Sequence, residues 1–427
     1  MLSREIYERI SKEINSVSLM KNVALLLEKE RGQTFRDYRN SAKFAEKLIK
    51  EAGIPNCEYI EFPADGKTVY QDHRMPMAWN ATKGRLTIVK SNQRFGDPVI
   101  ADYERHPFHL VKGSVSTPKG GLCVRIITEA QLFAGEDADG ALVVTEHSTN
   151  PRAKILKVVL DLGGLGIISD YLPKGDDTPD AIHWINACTE GNHWHVQHDD
   201  RPFIAFSISY RNGELLRQAA RSGSVLAHVE SDGKRSSGKL PAVTALIPGR
   251  QKKELWIISH LFEPLSNDNS CGVVGSIEGA RAIKKLSDEG IIPPMEFSLR
   301  LLFSAEMYGF VAYAESIGRE ARRRVIGALN TDGAYLMKSG LRVTLAPPAT
   351  PFFGNSLIEN FATECMEKGT YKIEPIIKEG SYADDLCLSD PTNAIPTAWT
   401  FSLSDYWHNS VQTMDLIEPS ALIKMPA

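Results

Sequence analysis

The sequence predicts an α/β protein: a layered mixed sheet flanked by helices, with a small β-rich domain inserted into it. Three observations predict it. From about residue 241 onward, apolar strand-like runs alternate with amphipathic helical stretches. Between 97 and 240 the texture changes to short β-branched runs separated by Gly, Pro and Asp. Over residues 1–55, apolar side chains recur three and four apart, as on one face of a helix. At 427 residues the chain is also too long for one small core and falls in the range of about two or three domains. The expected division is 1–96, 97–240 and 241–427, with the outer segments forming one catalytic domain around the insertion.

In order, "IYERISKEINSVSLMKNVALLLEKE" and "DYRNSAKFAEKLIKEAGI" predict helices, the second stopped at Gly53-Ile54-Pro55. "CEYIEFPADG" and "GRLTIVKS" predict short strands of the first segment. The insertion carries strands in "GLCVRIIT", "GALVVTEH", "LGGLGIISDYLP", "PFIAFSISY" and "GSVLAHVES", with helices in "NPRAKILKVVLDLG" and "NGELLRQAARSG". Then come the strand "ELWIISH", the helix "GVVGSIEGARAIKKLSDEG", the strand "EFSLRLLFSAE", a helix running into a strand in "REARRRVIGALNTD", the helix "NSLIENFATECMEKG" and the strand "IPTAWTFSL".

Composition is that of a globular protein, 42% hydrophobic and 24% charged, with a formal net charge of −4. Neither a nucleic-acid partner nor an anionic membrane surface is expected. No apolar run reaches the roughly 18 residues needed to span a bilayer. The N-terminal stretch "MLSREIYERISKEI" is charged and lacks the apolar core of a signal peptide. The six cysteines, at 57, 123, 188, 271, 365 and 387, are scattered without a C-x-x-C pair. This pattern fits free thiols in a cytoplasmic protein. A homo-oligomer is compatible with the sequence. "REARRR" (319–324) reads as a solvated helix face. "KGG" (119–121) and "LGGLG" (162–166) match no phosphate-binding fingerprint.

Strand ends in the last third deliver polar residues. His260 follows "LWIIS", Asp268 lies in "SNDNSCG" before a helix, and Glu306 follows "RLLFSA". Asp332 follows "IGALNT", and His408 lies in "SDYWHNS" after a strand. An open α/β sheet binds its ligands at the carboxyl ends of its strands. Two His and two Asp suit a borderline cation such as Zn2+, and a glutamate beside them suits a general base. Singly, each has a plainer role: Asp268 as a helix cap, Asp332 as an Asx-turn residue. Their joint occurrence in this order is the signal.

These residues resemble the motifs of the zinc aminopeptidase family that includes aminopeptidase Y, secreted bacterial leucyl aminopeptidases and glutamate carboxypeptidase. "SHLFEPLSNDNSCG", "FSAEMYGF", "LNTDGAY" and "DYWHNSVQTMDLI" follow the family order, and "YADDLCLSDPTNAIPTA" resembles a further segment. The insertion resembles the family's protease-associated domain, on "GALVV", "GGLGII" and "PFIAFSISYRNGELL". "HLFEP…NDN" also resembles an aminopeptidase-like branch found near sugar-biosynthesis genes.

The resemblance implies a zinc-exopeptidase-like fold binding one or two Zn2+ ions. Asp268 would bridge the ions, His260 and Asp332 would complete one shell, His408 would bind the other ion, and Glu306 would be the base. It also implies a cis peptide bond between Asp268 and Asn269. One position departs: the family's second "EE-x-G" glutamate, a metal ligand, is Met307 here. A thioether is a poor Zn2+ ligand. Glu263, Asp384 and Asp385 are the auxiliary candidates. A second cluster, "GNHWHVQHDD", holds His193, His195, His198 and Asp199. It reads first as a polar surface loop, and alternatively as a lid over the cleft or a separate metal site. The expected function is hydrolysis of a peptide or small amide. The alternatives are amide chemistry on an amino-sugar derivative, including cyclisation, and a binding protein descended from a peptidase.

Overall fold

The computed structural model describes residues 2–152, 154–173, 175–190, 195–332, 343–345, 356–368, 383–404 and 406–424. The larger layer is a seven-stranded mixed sheet among these residues. Its strands are β1 (Glu58–Ala64), β2 (Gly238–Ile247), β3 (Gln251–Leu261), β4 (Phe297–Ala305), β5 (Val325–Asp332), β6 (Val343–Leu345) and β7 (Thr397–Ser404). They lie in the order β1-β2-β4-β3-β5-β7-β6. The neighbours β4, β3, β5 and β7 run parallel, while β1, β2 and β6 pair antiparallel at the flanks.

Central strands covered on both faces should be largely apolar, and they are. Trp256, Ile258, Leu301, Leu302 and Phe303 are all buried. At the edge, β1 buries only Phe62 and Ala64. Helix Phe35–Glu51 starts at a capping box, in which Thr34 and Asp37 satisfy each other's backbone N–H groups. It buries Tyr38, Ala42, Ala45 and Ile49 along one stripe, packs on β2, and donates from the Tyr38 hydroxyl to Pro241 O at 2.6 Å. Helix Ser270–Asp288 packs on β3.

A second seven-stranded sheet has its own apolar core. It contains the predicted runs as Leu122–Thr128, Leu142–Val144, Gly166–Ser169, Phe206–Ser207 and Val225–Ser231, with helices Ile155–Asp161 and Tyr210–Ser222. It also takes in Gly84–Lys90, which the sequence reading had placed with the first segment. That strand pairs antiparallel with Val225–Ser231, and buried Leu86 and Ile88 join Ala227 and Val229 in one apolar face. Among the described residues no helix is long and apolar enough to cross a membrane.

Candidate metal centre

The parallel strands end level with one another: Leu261 of β3 pairs with Ala305 of β4. The loops beyond them therefore open on one edge. There His260, Glu263, Asp268, Glu306, Asp332 and His408 line a single cavity of about 310 Å³. All five residues expected from strand ends are brought together, with Glu263 among them.

Local sequence explains the loop after β3. Phe262 adopts a positive φ of 82° and turns the chain. Its N–H donates to Glu30 Oε1 at 2.7 Å, and its ring stacks on Tyr38 with centroids 4.5 Å apart. Asn269 donates from Nδ2 to Ser259 Oγ and Thr331 O, both at 3.0 Å, which ties the loop to the ends of β3 and β5. A Cβ at Gly272 would run into Asn269 Oδ1 and Thr331 O, so the first turn of the helix needs glycine there. The Asp268–Asn269 peptide bond is cis.

His260 Nε2 lies 3.0 Å from Asp268 Oδ1, 3.8 Å from Asp332 Oδ1 and 3.9 Å from Glu263 Oε2. Its other nitrogen, Nδ1, lies 3.3 Å from Asp384 Oδ2. His408 Nε2 lies 3.1 Å from Glu263 Oε2 and 3.4 Å from Asp268 Oδ2. Trp399 Nε1 donates to Asp332 Oδ2 at 2.9 Å. His260, Glu263, Glu306 and His408 are buried, and Asp268 and Asp332 partly so.

Burial, and then neighbouring carboxylates, push the carboxyl pKa values of Glu263, Glu306 and Asp332 up, that of Glu263 to about 8. Burial also works against the charge of Asp268, but hydrogen bonds from His260 and His408 outweigh it and hold that carboxyl below the usual range. Burial opposes charge on His260, yet Asp332, Asp268 and Asp384 keep its pKa well above the ordinary imidazole value. Burial pushes His408 down to about 4, and nearby Arg152 works in the same direction.

Among the described residues, four carboxyl groups thus share one cavity with one guanidinium, that of Arg152. Buried carboxylates are tolerated when paired or when they coordinate a metal. One nitrogen of His260 and one oxygen each from Glu263 and Asp268 lie within 4.8 Å of one another, close enough to share a cation. The nitrogen and oxygen donors suit Zn2+.

The remaining candidates fall outside that inner group. Asp384 meets the far nitrogen of His260 and accepts the Met307 N–H at 2.6 Å. Met307 itself sits at a positive φ of 59°. Asp385 is fully buried in helix Asp384–Ser389. His193 lies outside the described residues. His195 is not part of a polar surface loop: it is buried, stacked on Phe262 at 5.6 Å and edge-on to Tyr308 at 5.2 Å. Its H-x-H setting looked polar, but the aromatic wall beside the cavity takes the ring in.

Sequence reasoning missed Arg152, Lys112, Trp399 and Trp407. Arg152 Nη2 donates to His408 Nδ1 at 2.9 Å, and its guanidinium lies 5.0 Å from the Trp407 ring centroid. Lys112 lies 3.4 Å over the Phe262 ring, and its Nζ has no hydrogen-bond partner among the described residues. The tryptophans stood beside predicted residues in "TAWTFSL" and "DYWHNS" and were visible as candidates. Nothing in "TNPRAK" or "HLVKGS" marks the two cations.

No family model matches the chain, and no curated protein matches it. Solved structures do. A peptidase M28 precursor from Shewanella amazonensis SB2B superposes with a TM-score of 0.70 at 16% identity, over 99% of this chain and 93% of that one. BSAP, a zinc aminopeptidase from Bacillus subtilis, gives 0.68 at 14% identity, over 97% and 93%. A putative peptidase from Clostridium acetobutylicum gives 0.67 at 16% identity, over 98% and 81%. At these identities the likeness establishes the fold: the mixed α/β sheet flanked by helices is shared.

Proposed function

We propose that the chain is a zinc-dependent hydrolase of amide bonds, most simply an exopeptidase of aminopeptidase type. The observation that carries this reading is the cluster of four carboxyls and two imidazoles around one cavity at the carboxyl edge of the sheet. The solved structures of the same fold that are named as zinc aminopeptidases and peptidases support it. His260, Asp268 and Asp332 would hold the ion, with Glu263 at its side. Bound there, Zn2+ would act as a Lewis acid that makes water a better nucleophile and polarises a carbonyl.

The chain's own residues do the rest. Asp384 accepts from His260 Nδ1 and aims Nε2 at the cluster. Trp399 holds Asp332 by its free oxygen. Glu306, buried and with its pKa raised, is suited to take a proton from the attacking water and return it to the leaving nitrogen. Trp399 and Trp407 give the cavity two aromatic walls, which favours as a second reading an amide carried on an amino-sugar ring. Free thiols at Cys57, Cys123, Cys188, Cys271 and Cys387 fit a cytoplasmic setting.

The test is Glu306→Gln. Hydrolysis of amino-acid amides and dipeptides should fall about 10²–10⁴-fold while zinc content is unchanged, because a general base contributes that much. Full activity in this variant would remove Glu306 from the mechanism. Turnover of acylated amino sugars, with no turnover of peptides, would favour the second reading.

A further inference from the structure

We propose that His408 is a hydrogen-bond donor positioned by Arg152, not a metal ligand, and that the centre takes one metal ion. This inference rests on the zinc-site reading above and departs from the two-ion arrangement that the motif order implies.

The two imidazoles at the centre present opposite faces of the same chemistry. His260 has a carboxylate at Nδ1, Asp384 Oδ2 at 3.3 Å. A carboxylate oxygen at Nδ1 holds a ring hydrogen there, so the hydrogen that Nε2 gives to Asp268 is the one an ion would displace, and the Nε2 lone pair would then face Asp268, Asp332 and Glu263. That is how a metal-ligating histidine is held.

His408 has a guanidinium at Nδ1, Arg152 Nη2 at 2.9 Å. A guanidinium only donates and stays protonated in proteins, so Nδ1 is the acceptor. The hydrogen of the neutral ring is then on Nε2, and its neighbours there are acceptors, Glu263 Oε2 at 3.1 Å and Asp268 Oδ2 at 3.4 Å. A nitrogen that carries a hydrogen has no lone pair to offer a cation. Moving that hydrogen to Nδ1 would set two donors against each other in a buried pocket.

The ring is not free to escape this arrangement. Trp407 stacks on it at 3.8 Å with 19° between planes, and Trp184 from the second sheet's loops abuts it edge-on at 4.8 Å. The His408 carbonyl accepts the Trp184 N–H at 2.8 Å. A carboxylate expected on a second ion is also replaced, since Met307 stands where the resembled motif has a glutamate. Both losses act on the same ion and leave the His260 side intact. His408 lines the cavity that would hold substrate, and with Glu263 and Asp268 turned to an ion its Nε2–H can donate to a substrate oxygen that gains charge as the amide is attacked. Arg152 acts through His408 as a positioning residue.

The experiment is titration of metal-stripped, full-length protein with Zn2+ alone, read by native mass spectrometry and calorimetry. One ion per chain is expected. His408→Ala should still bind one ion, with affinity within about threefold of the wild type, whereas His260→Ala should lose it. Met307→Glu alone should still bind one, because Arg152 continues to hold Nδ1. Met307→Glu combined with Arg152→Met should bind two, a gain that a merely structural role for Arg152 would not produce. Two ions in the wild type or in Met307→Glu alone, or loss of the ion in His408→Ala, would overturn the inference and leave the zinc site standing. One ion in the double variant would overturn the role given to Arg152. No bound zinc in the wild type would sink the zinc-site reading itself.

Discussion

Two of the places where this molecule buries carboxylates solve the problem differently. In the second sheet, Asp170 is fully paired: Arg217 donates to both its oxygens at 2.7 Å, and Arg217 also reaches Thr145 O at 2.8 Å. A Cβ at Gly213 on the same helix would strike the Asp170 carboxylate, so glycine leaves room for the pair. At the edge of the first sheet, Glu263, Asp268, Glu306 and Asp332 crowd around His260 and His408, and the Arg152 guanidinium on the same cavity is turned to His408 Nδ1. The first arrangement is complete as it stands, while the second is short of positive charge. That difference separates a structural ion pair from a centre built to receive an ion.

The comparison can be broken from either side. The largest effect is expected in the complete pair. Arg217→Met leaves Asp170 buried without its bidentate partner and should lower stability by about 3–5 kcal/mol, with or without zinc. Burial works against the charge of Asp170, but Arg217 and His147 outweigh it and hold its pKa below the ordinary carboxylate value. The pair's contribution is therefore present above the unfolded value of about 3.9 and lost as pH falls through the lower folded one. Urea midpoints of wild type and variant should stay apart from pH 7 down to about 4 and converge below that.

Next in size is the metal. Zinc at about 1,000 times its dissociation constant should raise stability by about 4 kcal/mol, and Arg217→Met should show the same increment. An increment that vanished in that variant would mean that the two clusters are coupled.

The smallest effect belongs to Lys112, a buried amine beside the acidic centre with no hydrogen bond among the described residues. It compensates the carboxylates poorly, since it rests on the Phe262 ring and not on an oxygen. Lys112→Met should therefore stabilise the metal-free protein by about 1–3 kcal/mol in thermal or urea unfolding. Destabilisation would mean that the lysine is part of the centre's charge balance.

What could be read from the sequence follows the same divide. His260, Glu306 and Asp332 were legible because each terminates an apolar strand or directly follows one, and parallel strands that end level must gather whatever they carry. Asp268 and His408 were legible through motif order. Arg152, Lys112 and Trp184 were not, because they reach the centre from loops of the other sheet. Their contacts depend on how two sheets dock, and no periodicity within either sheet encodes that. Gly84–Lys90 shows the same limit: its alternation marks a strand, but alternation does not say which sheet will pair it. His195 was read as surface from its polar neighbours, and only the aromatic wall made by Phe262 and Tyr308 explains its burial.

The acidic cluster at the sheet edge stands or falls as a metal site on where zinc binds. The most direct test is anomalous diffraction at the zinc edge from crystals of zinc-loaded protein. The account predicts a peak about 2.0–2.2 Å from His260 Nε2 and from carboxylate oxygens of Asp268 and Asp332. A zinc-loaded crystal with no peak between these residues, or with its peak elsewhere in the molecule, would contradict it.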